Sequence, residues 1–347
     1  MVRRMSRQQR IHVAGAGAFG LACALGLAEA GAAVTVFDPA PGANASAVAA
    51  GMLGPAFESA LDVSARPHVA LLRSAISFWP SFAEQAGLRL DRRGALAVGD
   101  GQRLADLEQG LGDLGFSPKR IGRARLRDLA PGLSETFGEA LIAPEDWRIE
   151  AAECLAALRR RASDLGVAFR PEALRTRGDA DLVVIATGPS RALLDLAPEL
   201  AALSPIKGHI LRLPRFAYSG LVVRGPRAYA APADGGITVG ATMEAGLADL
   251  AVDAAHVDRL LEAGRELFPT IGADAEVRVS VGVRAATPDG LPLVGPSSAP
   301  GVLLAAGARR NGWLLAPLAA RIVTAWATGG DTGPLAQALA PARFAAA

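Results

Sequence analysis

The segment Ile11–Gly20 reads IHVAGAGAFG: a short apolar run, then Gly15-x-Gly17-x-x-Gly20, then an Ala/Leu-rich stretch of helical character. A second apolar run, Ala33–Phe37, ends at Asp38. Placed in a strand–turn–helix–strand unit, these residues can hold a dinucleotide. Gly15 permits the tight turn, Gly17 lets the backbone approach a pyrophosphate, and Gly20 lets helix and strand pack closely. The pyrophosphate then rests on the amides and positive dipole where the helix begins, at Ala18 and Phe19. Asp38, followed by Pro39, ends the second strand where a carboxylate can accept a ribose hydroxyl.

The next chemically loaded stretch is Asn44–Glu58, NASAVAAGMLGPAFE, in which small residues crowd around one hydroxyl, Ser46. Such a stretch leaves room for the chain to lie against a second phosphate and a flat ring. A small-residue helix packed on the sheet would explain the alanines, but not the run Ala50-Gly51-Met52-Leu53-Gly54. Here the chain resembles the FAD-dependent D-amino-acid oxidase superfamily, most closely its glycine oxidases, which carry a similar Ser-Ala-Ala-Ala-Gly-Met-Leu element after the ribose-binding acid. The resemblance extends over almost the whole chain, through VRAATPDGLPLVG at Val283–Gly295 and AGARRNGWLLAP at Ala306–Pro317.

That resemblance implies FAD as cofactor, held by the fingerprint, by Asp38 and Pro39, and by Ala45, Ser46, Ala50, Gly51 and Met52. Gly188 and the run from Arg310 through Asn311, Gly312, Trp313 and Leu314 belong to the same implied site. Asn311 and Gly312 open the last helix, whose start would face the pyrimidine end of the ring and favour negative charge there. Pro317 either starts the regular helix or kinks it one turn in. The adenine contact falls near Leu174, where the chain between Phe169 and Asp181 is shorter than in most relatives. Ile149-Glu150-Ala151 also departs from the family's Val-Asp/Glu-Pro turn. No cysteine lies near Arg284, so the FAD is expected to be non-covalent.

On the substrate side, the resemblance gives Arg284 the substrate carboxylate. A planar, permanently charged guanidinium holds a carboxylate bidentately and fixes the α-carbon over the ring; a strand-end ion pair is the competing role. Tyr229, in RAYAAP, matches a tyrosine whose hydroxyl meets the substrate, and the only other tyrosine is Tyr218. Arg310 matches a second arginine near the carboxylate, although Arg309 beside it could equally point inward. Gly54 matches a small residue bounding the pocket. The implied reaction is hydride transfer from the α-carbon of a small amino acid or N-methyl amino acid, with no protein base required there and oxygen as acceptor. The imine hydrolyses to a 2-oxo acid, or is handed to thiazole synthesis enzymes of thiamine formation. A quinone-linked D-amino-acid or sarcosine dehydrogenase, a tRNA-modifying flavoenzyme of the same fold, and a non-catalytic FAD scaffold are the alternatives.

The elements that must position these groups form an α/β chain: a Rossmann-like FAD-binding domain interleaved with an antiparallel-sheet substrate domain, D-amino-acid oxidase type. Residues 1–85, 141–205 and 284–347 are assigned to the first, 86–140 and 206–283 to the second. Asp181–Thr187 and Val302–Ala306 read as buried parallel strands, and Ala151–Leu165 as a helix. Short runs at Gly94–Val98, Gly208–Leu213, Leu221–Arg224, Arg227–Ala231, Gly236–Gly240 and Val277–Val283 read as antiparallel strands, with Ala255–Leu267 a helix across them.

Bulk properties narrow the rest. A formal charge of +2 on 347 residues gives no electrostatic reason to expect nucleic acid or an anionic membrane. No stretch reaches membrane-span length unbroken, and the basic N-terminus runs into the first strand without a separate signal region. Two cysteines, Cys23 and Cys154, suit a reducing cytoplasm rather than a disulfide framework. The histidines, His12, His68, His209 and His256, lack metal spacing, and no Ser-His-Asp context supports hydrolysis. A homo-oligomer is compatible with the sequence.

Overall fold

The computed structural model describes residues 8–344. Among them, two large sheets organise the chain. The first has six strands in the order Leu293–Pro296, Val302–Ala306, Leu182–Ile185, Arg10–Ala14, Ala33–Phe37 and Ala168–Arg170. All neighbours are parallel except the first pair. Val302–Ala306 is buried along its whole length, as a continuous apolar run in a sheet covered on both faces requires. Helix Ala18–Glu29 packs on the last long helix, Gly312–Thr328, and Pro317 lies inside the latter. Their approach depends on small residues: a Cβ on Gly26 would stand 2.7 Å from Thr324 Oγ1.

The second sheet carries the substrate side. Its main path runs Glu244–Ala245, Ser204–Leu213, Gly236–Gly240, Tyr229–Ala233, Val222–Arg224, Ala95–Ala97, Glu139–Ala143 and Lys119–Gly122, with Arg278–Ala286 also paired to Ser204–Leu213. This is the α/β architecture expected, with four differences of detail. Val222–Arg224 pairs with Ala95–Ala97 in parallel, so the sheet is not wholly antiparallel. Leu293–Pro296 adds an antiparallel edge to the nucleotide sheet. Lys119–Gly122 and Glu139–Ala143 are strands that no apolar alternation announced. The assigned boundaries at 141, 206 and 284 each fall inside a strand, because Glu139–Ala143, Ser204–Leu213 and Arg278–Ala286 run on across them.

The fingerprint glycines have steric causes. Gly15 sits at φ +102°, and a Cβ there would lie 2.3 Å from the Ala186 carbonyl oxygen. A Cβ on Gly20 would lie 1.9 Å from the carbonyl oxygen of Gly15. Turn, helix and neighbouring strand are therefore in backbone-to-backbone contact. Among the described residues, no helix is long and apolar enough to cross a membrane.

Gly15→Ala is expected to destabilise the fold by at least the strain of a left-handed residue, about 1–3 kcal/mol, and to weaken flavin retention. Thermal melting and the flavin-to-protein ratio after gel filtration measure both; an unchanged melting temperature would contradict the packing account.

Candidate active site

Two neighbouring features form the site. At the start of helix Ala18–Glu29, the first-turn amides have no partner within the helix. Asp38 faces this turn, with Oδ2 accepting from Ala16 N at 2.8 Å and Oδ1 from Ala40 N at 2.9 Å. Ser46 Oγ accepts from Ala18 N at 3.0 Å, and Trp313 Nε1 donates to the Ser46 carbonyl at 3.1 Å. Ser46 thus joins the first helix to the start of the last one.

Beyond Ser46 opens a cavity of about 340 Å³. Its lining includes the small-residue segment, with Ala45, Ala50, Gly51 and Met52, together with Asn311, Trp313 and Gly282. Gly51, at φ +74°, brings the backbone so close to Ile149 that a Cβ would lie 2.0 Å from its carbonyl oxygen. The amide-lined helix start, the ribose-side carboxylate and a small-walled cavity fit a dinucleotide bearing a flat ring. Gly15, Gly17, Gly20, Asp38 and Ser46 would hold its diphosphate and ribose, and Ala50, Gly51 and Met52 would lie along the ring.

The charged residues on the rest of the cavity wall are five arginines and one carboxylate, Glu58. Arg284, on strand Arg278–Ala286, has Nη1 3.3 Å from the Thr242 carbonyl and 3.6 Å from Met243 Sδ, and no carboxylate within ion-pair distance among the described residues. Burial pulls it below the ordinary guanidinium value. It has room because Gly208 lies across from it: a Cβ there would sit 2.5 Å from Arg284 Nη1. Tyr229 pairs in register with Gly240, where a Cβ would lie 2.5 Å from the Tyr229 hydroxyl. Burial raises that hydroxyl's pKa, and no residue described accepts or donates a hydrogen bond to it.

Arg310 lines the cavity, whereas Arg309, at φ +50°, turns away to pair with Asp62. Arg310 is not free, however. Its Nε lies 2.9 Å from Glu58 Oε2, and Arg224 Nη2 lies 2.8 Å from Glu58 Oε1. Burial raises the Glu58 carboxyl, but Arg310 and Arg224 outweigh it and hold the group at about 2. Glu58 rides on helix Pro55–Leu61, whose first amides, Ala56 N and Phe57 N, donate to Asp146 at 2.7 and 3.1 Å. Burial pushes Asp146 up to about 7, past the pull of Arg224 and of those two amides.

Three of the expected residues are not among those that line the cavity. Gly54 is the helix cap, not a cavity wall: a Cβ would meet Asp146 Oδ2 at 2.8 Å, so glycine is there to admit the capping carboxylate. Leu174, expected near the adenine, packs partly buried against the cluster of Val183, Ile185 and Val302. Leu314 is a core residue whose carbonyl accepts from Trp79 Nε1. Glu58, Arg224, Asp146 and Gly208 also belong to the site, and no pattern in the sequence marks them. His209 is a satisfied core histidine, between Glu244, Thr242 and the Asp253 amide.

A nucleotide lobe interleaved with a strand-rich lobe, meeting at an arginine-lined cavity, defines a flavin-dependent oxidoreductase. The family model described as FAD dependent oxidoreductase matches residues 10–326, and the chain belongs to that family, whose cofactor is FAD. The chain is 28% identical to a glycine oxidase of Geobacillus kaustophilus (strain HTA426), over 92% of this chain and 93% of that one. The crystal structure of glycine oxidase from Geobacillus kaustophilus superposes with a TM-score of 0.83 at 26% identity, covering 98% of this chain and all of that one. A bifunctional protein ThiO/ThiG of Nostoc sp. (strain PCC 7120) is 32% identical over 90% of this chain, which spans 52% of that protein's length.

Asp146 supplies a pH test. Its folded value of about 7 exceeds its ordinary 3.8, so the native state holds a proton that the unfolded chain releases, and stability falls as pH rises between those values. Asp146→Asn removes that titration at the cost of one capping bond. The melting-temperature deficit of the variant is expected to be larger at pH 5 than at pH 7.5; the reverse order would contradict the assignment.

Proposed function

We propose that this protein is an FAD-dependent oxidase of small amino acids, glycine oxidase-like, acting on glycine, N-methylglycine or a small D-amino acid. The observation that carries the reading is Arg284: a half-buried cation at the cavity wall with no carboxylate in ion-pair distance among the described residues, in a cavity where Arg224 and Arg310 already share Glu58. An amino acid's carboxylate completes it with a bidentate pair. The FAD that Gly15, Gly17, Gly20, Asp38 and Ser46 would hold would supply the hydride-accepting chemistry, with oxygen as the final acceptor.

The protein's own part is positioning. Arg284 fixes the carboxylate and thereby the α-carbon. The free Tyr229 hydroxyl is available to the substrate's polar groups. Neutral amine is the reactive form, and the surplus of positive charge in the cavity disfavours the protonated one. The amines, small 2-oxo acids and peroxide of such a reaction suit a cavity of this size. Similarity to glycine oxidase and to ThiO/ThiG supports the same substrate class, with supply of an imine to thiazole formation as one use of the product.

Arg284→Ala is expected to lower kcat/KM on the best small amino acid by about 2–5 kcal/mol, or roughly 30- to 5,000-fold, with flavin content preserved. Arg284→Lys should remain impaired, since an ammonium cannot form the fork. Near-normal efficiency in Arg284→Ala would refute the assignment. Acid precipitation of the purified protein should leave its yellow colour in the supernatant; colour retained in the pellet would contradict non-covalent FAD. Oxygen consumption during turnover separates an oxidase from a quinone-linked dehydrogenase.

A further inference from the structure

Arg284 reaches across a neighbouring strand to find its hydrogen-bond partner. Strand Ser204–Leu213 runs beside Arg278–Ala286, with Ile206 opposite Arg284 in register. The guanidinium passes over Gly208, where a Cβ would lie 2.5 Å from Arg284 Nη1 and 2.7 Å from the Thr242 carbonyl oxygen. There Nη1 donates to the Thr242 carbonyl at 3.3 Å and lies 3.6 Å from Met243 Sδ. Both partners belong to residues 241–253, which connect strand Gly236–Gly240 to helix Ala254–Leu267. This connection contains the two-residue strand Glu244–Ala245, while Leu247, Leu250 and Val252 are exposed. With so little apolar burial to fix it, its polar ties decide where Thr242 sits.

Those ties converge on His209, which follows Gly208 and is fully buried. Its amide donates to Thr242 Oγ1 at 2.8 Å. The Asp253 amide donates to Nε2 at 3.0 Å, so the ring proton is on Nδ1, 2.9 Å from Glu244 Oε1. Thr242 Oγ1 donates to the same carboxylate oxygen at 2.6 Å. Burial raises the Glu244 carboxyl, but Thr242 and His209 outweigh it and hold the group below its ordinary value. One imidazole thus ties both ends of the connection, Glu244 at one nitrogen and Asp253 at the other. Lys207 adds a tie to Asp249 between them, at 2.6 Å.

We propose that His209 is a positioning residue for the substrate: with Glu244 it sets the Thr242 carbonyl against Arg284, and so sets the angle at which the guanidinium meets a carboxylate. This rests on the reading of Arg284 as the carboxylate-binding residue. A buried neutral imidazole fits the task because its donor and its acceptor are held at a fixed separation and direction. A guanidinium shifted by a fraction of an ångström loses one arm of a bidentate pair while keeping its charge. The effect is therefore read in carboxylate affinity.

The test titrates glycolate into the FAD-loaded enzyme and follows the flavin absorbance, with melting temperature and flavin content measured alongside. In His209→Asn the side-chain amide can stand where Nδ1 stood and keep the bond to Glu244. In His209→Gln the side-chain carbonyl can take the place of Nε2 and keep the Asp253 amide, but the bond to Glu244 is lost. Affinity for glycolate should fall about three- to tenfold in His209→Gln, the worth of one hydrogen bond, and be largely retained in His209→Asn. Thr242→Val cuts the same tie at a half-buried position and should weaken glycolate by a similar factor; it decides the matter for any His209 variant not recovered with its flavin. A role confined to folding predicts instead that affinity follows melting temperature and does not distinguish the two amides. Wild-type affinity in Thr242→Val, or equal affinities in His209→Asn and His209→Gln, overturns the inference. Arg284→Ala separates the two readings. If it loses glycolate while the His209 and Thr242 variants keep it, the Arg284 reading stands and the inference falls; if it binds glycolate as tightly as the wild type, both fall.

Discussion

The site depends on one buried carboxylate shared by two arginines. Glu58 sits between Arg224 and Arg310, each within 3 Å, and removing one partner from such a buried pair costs about 3–5 kcal/mol. That single charge is shared by the two arginines beside it, while the third, Arg284, has no carboxylate in ion-pair distance among the described residues, which is why the proposed function gives it the substrate carboxylate. The position of Glu58 is in turn set by a helix cap borrowed from far along the chain, since Asp146 binds the Ala56 and Phe57 amides. Gly54 leaves the space for that cap. A chain of backbone and charge contacts thus decides which guanidinium is open to chemistry.

Within the nucleotide lobe, a similarly economical link joins its first and last helices. Ser46 takes an amide from the first helix with its hydroxyl and an indole proton from Trp313 with its carbonyl. The segment that follows, small at nearly every position, forms the wall between the nucleotide end and the arginine end of the cavity. Gly282 packs close to Ala45 and Val48 across this boundary, with 3.4 Å to a Cβ if it had one. Small residues here preserve a slot, and the larger groups at its end, Tyr229 and the arginines, furnish the polar contacts.

What the sequence made legible follows from how local each signal is. The fingerprint, Asp38 and the runs Val302–Ala306 and Gly236–Gly240 are short, contiguous patterns, and the strands lie where those patterns put them. Lys119–Gly122 is polar and mostly exposed, so its strand character comes from pairing with Glu139–Ala143 and leaves no hydrophobic trace. Arg309 and Arg310 are adjacent, and only the left-handed backbone at Arg309 decides which one faces the cavity. Glu58 and Arg310 are 252 positions apart, and Ala56 and Asp146 are 90. No spacing rule connects such residues, and the glycines that make their contacts possible read in sequence as turns or pocket walls.

The most direct test is a crystal structure of the FAD-loaded protein with glycolate, a carboxylate that matches glycine in size but lacks its amine. The account predicts both carboxylate oxygens within hydrogen-bonding distance of the Arg284 guanidinium, with the Glu58 bridge to Arg224 and Arg310 intact. Glycolate seated on Arg310 with Glu58 displaced, or bound away from Arg284 altogether, would contradict it.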